Sequence, residues 1–394
     1  MNYNFRHLRA FLSIAEKGSV TQAASQIHLS QPALTQAIAK LEAMLGVSLF
    51  ERTNQGMFLT EAGRIFENRV SRAIDFLMGA SGVRPALRLR HLPSNSQLTA
   101  LLAVVDAENY SLAARRFGIA QPTVYRAVKQ LEMDADQPLF EKTSHGIRAT
   151  RAGEMLALSA RLAYAELAQA ETELASWQGI EAGEIAIGSL PLARSFIIPA
   201  AISSFRQENP KTRIRVVDGP YDDQLGWLRS GEIDFLVGAL RFPVPIEDIE
   251  QEELFADVLT IIAAPTHPLV KKGSVSLEDL SRYPWVVARQ GTPTRHYFDA
   301  LFLPLGNDLP GNLVESGSSI LMRRLLMDDR HLGFISRHQV QGDIEQGLLA
   351  QIEFELGDTP RPIGISSRRN WKPTAVQEGF LSLLRNVARD RRDS

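Results

Sequence analysis

The sequence predicts a multidomain chain in which two α-rich winged helix-turn-helix domains precede an α/β region. Three observations predict it. Residue i matches residue i+90 without a gap from Phe11 to Gly63, and 16 of the 53 pairs are identical where chance would give about three. Each copy reads as a helix-turn-helix followed by apolar residues that flank a polar tip containing Gly56 or Gly146. From Gly183 onward, short apolar runs alternate with helical stretches, the order of an α/β unit.

Bulk properties agree with that division. A chain of 394 residues has room for roughly two to four domains, and 44% hydrophobic with 22% charged residues is a soluble globular composition. The absence of cysteine excludes disulfides, thiol nucleophiles and thiolate metal sites, and points to a cytoplasmic protein. No stretch has the uninterrupted apolar length of a signal peptide core or a membrane span, so no membrane role is expected. The net charge of −2 conceals a basic start, because residues 1–90 hold 11 Lys and Arg against 6 Asp and Glu.

The elements follow in order. Ala23 and Ala24 match Ala113 and Ala114, small residues that let one helix pack closely on the next. Pro32 and Pro122 each follow a glutamine and open a helix, whose first turn has no use for the missing N–H. In the first copy Leu34, Ile38, Leu41 and Leu45 form an apolar stripe, leaving Ala33, Thr35, Gln36 and Lys40 outward or at its edges. In the second, Val124, Val128 and Leu131 form the stripe, and Tyr125, Arg126 and Lys129 take the outward places. Together with Ser30, Gln31, Pro32, Gln121 and Thr123, these outward side chains are the candidates to read base edges in a major groove. Arg52 and Lys142 of the two wings, with Thr53 and Thr143 beside them, suit phosphate contact. Thr60 and Thr150 are N-cap candidates for the helices that follow. In the second of these, Met155, Leu158, Leu162 and Ala165 recur at three-to-four spacing and predict a dimer seam.

The first copy, "FLSIAEKGSVTQAASQIHLSQPALTQAIAKLEAMLGVSLFERTNQGMFLTEAG", resembles the winged helix of the LysR-type bacterial transcriptional regulators. "GEIAIGSLPLARSFIIPAAISSFRQENP", "LRSGEIDFLVG", "APTHPL" and "HLGFISRHQV" stand where that family has its effector-binding part. The extra block from about Leu92 to Gly179 departs from the family, whose members usually carry one winged helix.

The resemblance implies a sequence-specific transcription regulator that needs no cofactor. Its expected partners are a double-stranded DNA operator, a small-molecule effector, RNA polymerase and further copies of the chain as a dimer or tetramer. It also implies three domains: residues 1–82 and 92–179, each a winged helix with its linker helix, and 183–394 for effector binding. The last has two lobes akin to periplasmic binding proteins, lobe I about 183–256 and 353–394 and lobe II about 257–352. Ligands of such sheets lie at strand C-terminal ends. Ser189, Leu190 and Arg194 at the first turn and Gly219 and Tyr221 at the second are therefore ligand candidates, facing Gln290, Gly291, Thr292 and Ser316 of the other lobe. The wording "LPLARS" and "DGPYD" resembles a subgroup answering to sugars or organic acids; Arg194 suits a carboxylate, and Asp218 and Asp222 suit sugar hydroxyls.

The copies differ in their caps. Ser19 and Gln22 make a capping-box pattern and Ser30 can cap the next helix, whereas the second copy has Ala120 in place of Ser30, so it is the less stable of the two. Both copies bind DNA, joined by "GASGVRPALRLRHLPSNSQ", or the second has become a packing or dimerisation module; Arg126 and Lys129 on its outward face favour the first arrangement. A small-molecule-binding protein without a DNA role is the remaining alternative. Enzyme chemistry is not expected: there is no HExxH, no Walker A pattern, no G-x-S-x-G and no metal-binding histidine pair.

Overall fold

A computed structural model describes residues 3–79, 91–144, 146–180, 183–244, 246–306 and 310–392. Residues 80–90 of the expected linker lie outside that set. The chain forms two compact units, Met1–Glu184 with Arg229–Glu232, and Ile185–Leu228 with Ile233–Ser394. Among the described residues no helix is long and apolar enough to cross a membrane.

The first unit contains one pattern twice. Helices α1 (Phe5–Lys17), α2 (Val20–Ile27) and α3 (Gln31–Leu45) lead into the hairpin β1 (Phe50–Thr53) and β2 (Gly56–Leu59) and then α4 (Glu61–Met78). The second set is α5 (Asn95–Ala107), α6 (Tyr110–Phe117), α7 (Gln121–Ala135), the hairpin β3 (Phe140–Thr143) and β4 (Gly146–Ala149), and α8 (Arg151–Trp177). Both hairpins are antiparallel with matching register, Phe50 opposite Leu59 and Phe140 opposite Ala149.

Sequence differences show in the helix ends. Ser30 Oγ accepts from the Ala33 amide at 3.4 Å, and Ala120 makes no such bond. Half of the expected capping box forms at α2, where Ser19 Oγ accepts from the Gln22 amide at 3.4 Å. Asn109 does cap α6, accepting from the Leu112 amide at 3.0 Å. Helices α1 and α3 stop on left-handed glycines, Gly18 (φ 63°) and Gly46 (φ 68°). The second copy places Glu108 (φ 48°) and Asp136 (φ 53°) in the same conformation, which disfavours a residue with a Cβ by roughly 1–2 kcal/mol.

Helices α4 and α8 pack along each other inside one chain. The seam centres on Arg69, only 4% exposed. Its guanidinium donates to Glu173 at 2.5 and 3.0 Å, to Glu166 at 3.0 Å and to Gln169 at 2.6 Å, while Arg72 donates to Glu166 at 2.8 Å. Burial opposes the charge on Arg69, and the carboxylates of Glu173 and Glu166 outweigh it, holding its pKa above the ordinary value. The stripe expected on α8 is corrected: Leu162 is buried, but Met155, Leu158 and Ala165 are only half-buried. The face that packs is one step round, through Ala160, Ala163, Leu167, Ala170 and Leu174, because small alanines let two helix backbones approach. One apolar core runs from the first module across this seam, whereas the interior of the second module is divided into two smaller clusters.

The second unit holds two five-stranded sheets. The strands and helices β5 (Glu184–Ser189), α9 (Pro191–Ser195), α10 (Ile197–Glu208), β6 (Arg213–Asp218), α11 (Tyr221–Ser230), β7 (Phe235–Ala239) and β8 (Ile249–Asp257) come first. The chain then runs through β9 (Leu259–Ala263), α12 (Leu277–Ser281), β10 (Trp285–Val287), α13 (Pro293–Phe302), β11 (Leu313–Glu315), α14 (Ser319–Leu326), β12 (Leu332–Ser336), α15 (Arg337–Glu345) and β13 (Ala350–Ile352), before β14 (Arg361–Arg368) and α16 (Ala375–Arg392). Sheet order is β6-β5-β7-β14-β8 in one and β11-β10-β12-β9-β13 in the other, so β14 returns the chain to the first sheet. Parallel β5 and β7 give that sheet its α/β character, and β14 lies antiparallel between β7 and β8.

Glu108→Gly relieves a left-handed residue whose side chain is exposed, and is expected to raise the unfolding free energy by ~1 kcal/mol in denaturant titration.

Candidate functional site

The outward face of α3 is as the stripe requires. Ser30, Gln31, Pro32, Ala33, Thr35, Gln36 and Lys40 are exposed, and Leu34, Ile38 and Leu41 are buried; Leu45 is half-buried. On α7, Gln121, Thr123, Tyr125, Arg126 and Lys129 are exposed above buried Val124, Val128 and Leu131. Arg52, Thr53, Lys142 and Thr143 lie exposed on the hairpins. Two of the cations on α7 have local contacts: Lys129 pairs with Glu132 at 2.5 Å and sits 5.6 Å from the Tyr125 ring, and Arg126 Nε donates to the Pro122 carbonyl at 3.3 Å. The Ser30 hydroxyl is occupied by its cap, so its part is to fix where α3 begins.

A glutamate that sequence reasoning passed over ties each outward helix to its wing. Glu42 Oε1 accepts from the amides of Leu49 (2.8 Å) and Phe50 (3.3 Å), and Glu132 Oε1 accepts from those of Leu139 (2.9 Å) and Phe140 (3.3 Å). Both are among the identical pairs of the repeat, which is the signal that could have found them. A second shared brace lies at the next helix start. Thr60 donates to the Ser48 carbonyl and caps the Gly63 amide, and Thr150 does the same with Pro138 and Gly153. A Cβ on Gly63 or Gly153 would stand 2.1 Å from the Leu49 or Leu139 carbonyl oxygen, so the close approach requires glycine.

In the second unit, the expected ligand residues sort into structural and accessible groups. Ser189 is fully buried, and its hydroxyl donates to the Val217 carbonyl at 3.0 Å. The Leu190 amide donates to Val237, and the Thr292 hydroxyl donates to the Arg289 carbonyl while capping α13. Ser316 Oγ accepts from the Ser318 amide at 3.0 Å. Arg194 stands 3.4 Å from Asp218 and donates to the Ser189 carbonyl, so its charge is matched within the protein. Gln224, fully buried, donates to the carbonyls of both Ser189 (3.0 Å) and Gly219 (2.9 Å) and locks the two turns together.

One cation that reaches toward the opposing lobe is Arg241, which the sequence did not single out. Its guanidinium lies 4.1 Å from the Tyr221 ring centroid and donates to the Gly291 carbonyl at 3.1 Å, reaching from the first sheet's side to the start of α13 beside exposed Gln290. Arg241 Nε and Tyr221 Oη are buried without a hydrogen-bond partner among the described residues. Burial pushes the Tyr221 hydroxyl above its ordinary pKa, so it stays protonated.

Where the chain crosses between the sheets, fully buried Asp257 accepts from Ser336 Oγ at 2.7 Å, contacts the His338 ring at 2.6 Å and pairs with Arg361 at 2.8 Å. Next to this knot lies a cavity of about 350 Å³ lined by Asp257, Thr260, Gln351, Phe354 and Asp358 among others, and by none of the expected ligand residues.

The fold and its faces agree with what the chain resembles. A family described as bacterial regulatory helix-turn-helix protein, lysR family, matches residues 5–64 and again 96–154, and the LysR substrate binding domain matches residues 178–389. The chain belongs to the LysR family: it is a DNA-binding transcription regulator with an effector-binding domain. It is 32% identical over 386 residues to the HTH-type transcriptional regulator GalR of Pseudomonas putida, covering 98% of this chain and 97% of that protein. It is 24% identical over 384 residues to the regulator PcaQ of Agrobacterium fabrum, covering 98% and 94%. Among solved structures, ArgP from Mycobacterium tuberculosis has a TM-score of 0.57 at 18% identity, spanning 76% of this chain and 98% of its own. CbnR, a LysR family transcriptional regulator, has a TM-score of 0.51 at 20% identity, spanning 74% and 98%.

Glu42→Ala and Glu132→Ala each remove an acceptor from two amides. Each is expected to destabilise the first unit by ~1–3 kcal/mol, read from denaturant midpoints.

Proposed function

We propose that both repeated modules are winged helix-turn-helix readers of DNA, so that one chain carries a pair of them, and that a small anionic effector is gripped by Arg241. The observation that carries the first part is the shared bracing: Glu42 and Glu132 fix helix to wing in the same way, leaving polar faces exposed on both α3 and α7. The domains are then residues 1–82, 92–179 and 183–394, the last a two-lobed sensor with lobes 183–256 with 353–394 and 257–352, like periplasmic binding proteins.

In this reading Gln36 and Arg126 contact bases, for which their amide and guanidinium groups match adenine and guanine edges. Arg52 and Lys142 contact phosphate and supply salt-dependent affinity. The protein works in the cytoplasm as a homo-oligomer, without catalysis, and acts on RNA polymerase. Effector binding redistributes the lobes between two arrangements, which biases the DNA complex.

For the effector, Arg194 is matched by Asp218, and Arg241 has no carboxylate partner among the described residues. A carboxylate would displace the weaker carbonyl of Gly291 and take a charge-assisted, two-pronged hydrogen bond, with Tyr221 as a further donor. An organic acid is therefore favoured over a sugar.

A second reading, in which the second module is architectural, has its own support in the Lys129–Glu132 pair and the uncapped start of α7. Footprints of the wild type, Gln36→Ala and Arg126→Ala on the upstream region at fixed salt decide between them. Loss of a different half-site with each substitution, about 1–3 kcal/mol apiece, is expected; an unchanged Arg126→Ala footprint would assign the reading to α3 alone.

Titration calorimetry with a panel of small carboxylic acids and neutral sugars tests the sensor. Arg241→Gln is expected to weaken acid binding at least ~tenfold, about 1.4 kcal/mol. A sugar bound equally by both proteins, with no acid bound, would overturn the anion assignment.

A further inference from the structure

The faces of α4 and α8 that meet are apolar at corresponding positions of the repeat but differ in their charges. Val70, Ala73 and Leu77 of α4 are buried in the core that spans the seam, and so are Ala160, Ala163 and Leu167, their counterparts ninety residues on. On apolar grounds alone, α4 would accept a second α4 as readily as it accepts α8. The polar positions break that equivalence. Arg69 corresponds to Ser159 and Arg72 to Leu162, whereas Glu166 corresponds to Phe76 and Gln169 to Gly79.

Two α4 helices brought together in the same geometry would set each Arg69 against Phe76 and Gly79, burying a guanidinium without an acceptor. Two α8 helices would set Glu166 against Ser159 and Leu162, burying a carboxylate without a cation. A buried charge deprived of its partner is far more damaging than the absence of the whole pair. Discrimination between partners rests as much on the penalty in the wrong complex as on the gain in the right one.

From this asymmetry we infer that the seam is a one-way joint: the first module accepts the second module of its own chain and rejects a second copy of itself, so the paired head is completed within one polypeptide. Residues 79–94 connect α4 to α5, and so short a tether gives an effective concentration on the order of millimolar, favouring pairing within the chain over exchange between chains. With the α4 and α8 faces engaged on each other, association between chains has to use other surfaces. That the head reads DNA depends on the function proposed above; the pairing rule does not.

The test uses the full-length chain in three forms: Arg69→Glu with Arg72→Glu, Glu166→Arg with Glu173→Arg, and all four substitutions in one chain. Each reversed half alone is expected to lower the melting temperature of the first unit by about 5 °C and to weaken operator binding more than ~tenfold. The combined chain is expected to recover both, because the pair is re-formed with opposite polarity, while an equimolar mixture of the two reversed halves recovers neither. The inference is overturned if the combined chain stays as unstable as the halves while Arg69→Met melts like the wild type. It is equally overturned if the mixture recovers with a doubled native mass, which would place the joint between chains.

Where Arg69→Glu/Arg72→Glu fails to fold, the uncharged variant Arg69→Met/Arg72→Met/Glu166→Gln/Glu173→Gln decides. It is expected to acquire concentration-dependent species heavier than the wild type, and a mass identical to the wild type at all concentrations would count against the joint. If melting follows the expected pattern and no form binds DNA, the pairing rule stands and the proposed DNA-reading role fails.

Discussion

A guanidinium removed from water must find acceptors already in place, and at Arg69 that requirement shapes the whole first unit. Four of the donors in its planar fork meet two carboxylates and an amide oxygen carried by α8. The acceptors lie at positions 166, 169 and 173, spaced by three and four, so only a helix running alongside can deliver them together. Each module's last helix is thereby fixed along the other, and with it the outward helices and wings that those segments support. The apolar stripe alone would hold two helices together; it would not choose which two.

Duplication leaves a record of what a module cannot lose. The glutamate that holds helix to wing, the threonine that caps the following helix and the glycine that lets a carbonyl approach are the same in both copies. Each answers a backbone group that would otherwise be buried without a partner, or a contact too close for any Cβ, and such demands come from geometry rather than from a target sequence. What has changed is local. The second copy lacks the serine cap of α3 and has Glu108 and Asp136 where the first has left-handed Gly18 and Gly46, it carries Gly118 where the first has left-handed His28, and its interior is divided.

The helical part was legible because its signals are short-range: Pro32 and Pro122, the stripes through Leu34 and Val124, and the glycines at the hairpin tips specify elements through contacts a few residues apart. The face of α8 was misjudged because Met155 and Leu158 are more hydrophobic than Ala160 and Ala163, while close packing of two helices selects the smaller side chains. Arg69 was invisible, since its meaning depends on residues a hundred positions away. The sensor shows the same divide. The strand ends near Ser189 and Gly219 follow from local pattern, but which of Arg194 and Arg241 has its charge matched by Asp218 is a tertiary fact.

A pair of identical readers related by a twofold axis needs an operator with the same symmetry, because each half-site must satisfy the same side chains. The two outward helices of this chain are not identical. Ala33, Thr35, Gln36 and Lys40 on α3 correspond to Thr123, Tyr125, Arg126 and Gln130 on α7, so an amide stands opposite a guanidinium and a hydroxyl opposite an aromatic ring. On the proposed reading, base edges matched by one set would be mismatched by the other, each mismatch weakening binding by roughly 1–3 kcal/mol. If both helices read DNA, the preferred site has two unlike halves, and the one-way joint becomes necessary rather than incidental: chains that could exchange modules freely would assemble heads of two like readers, and each such head would misread one half of that site.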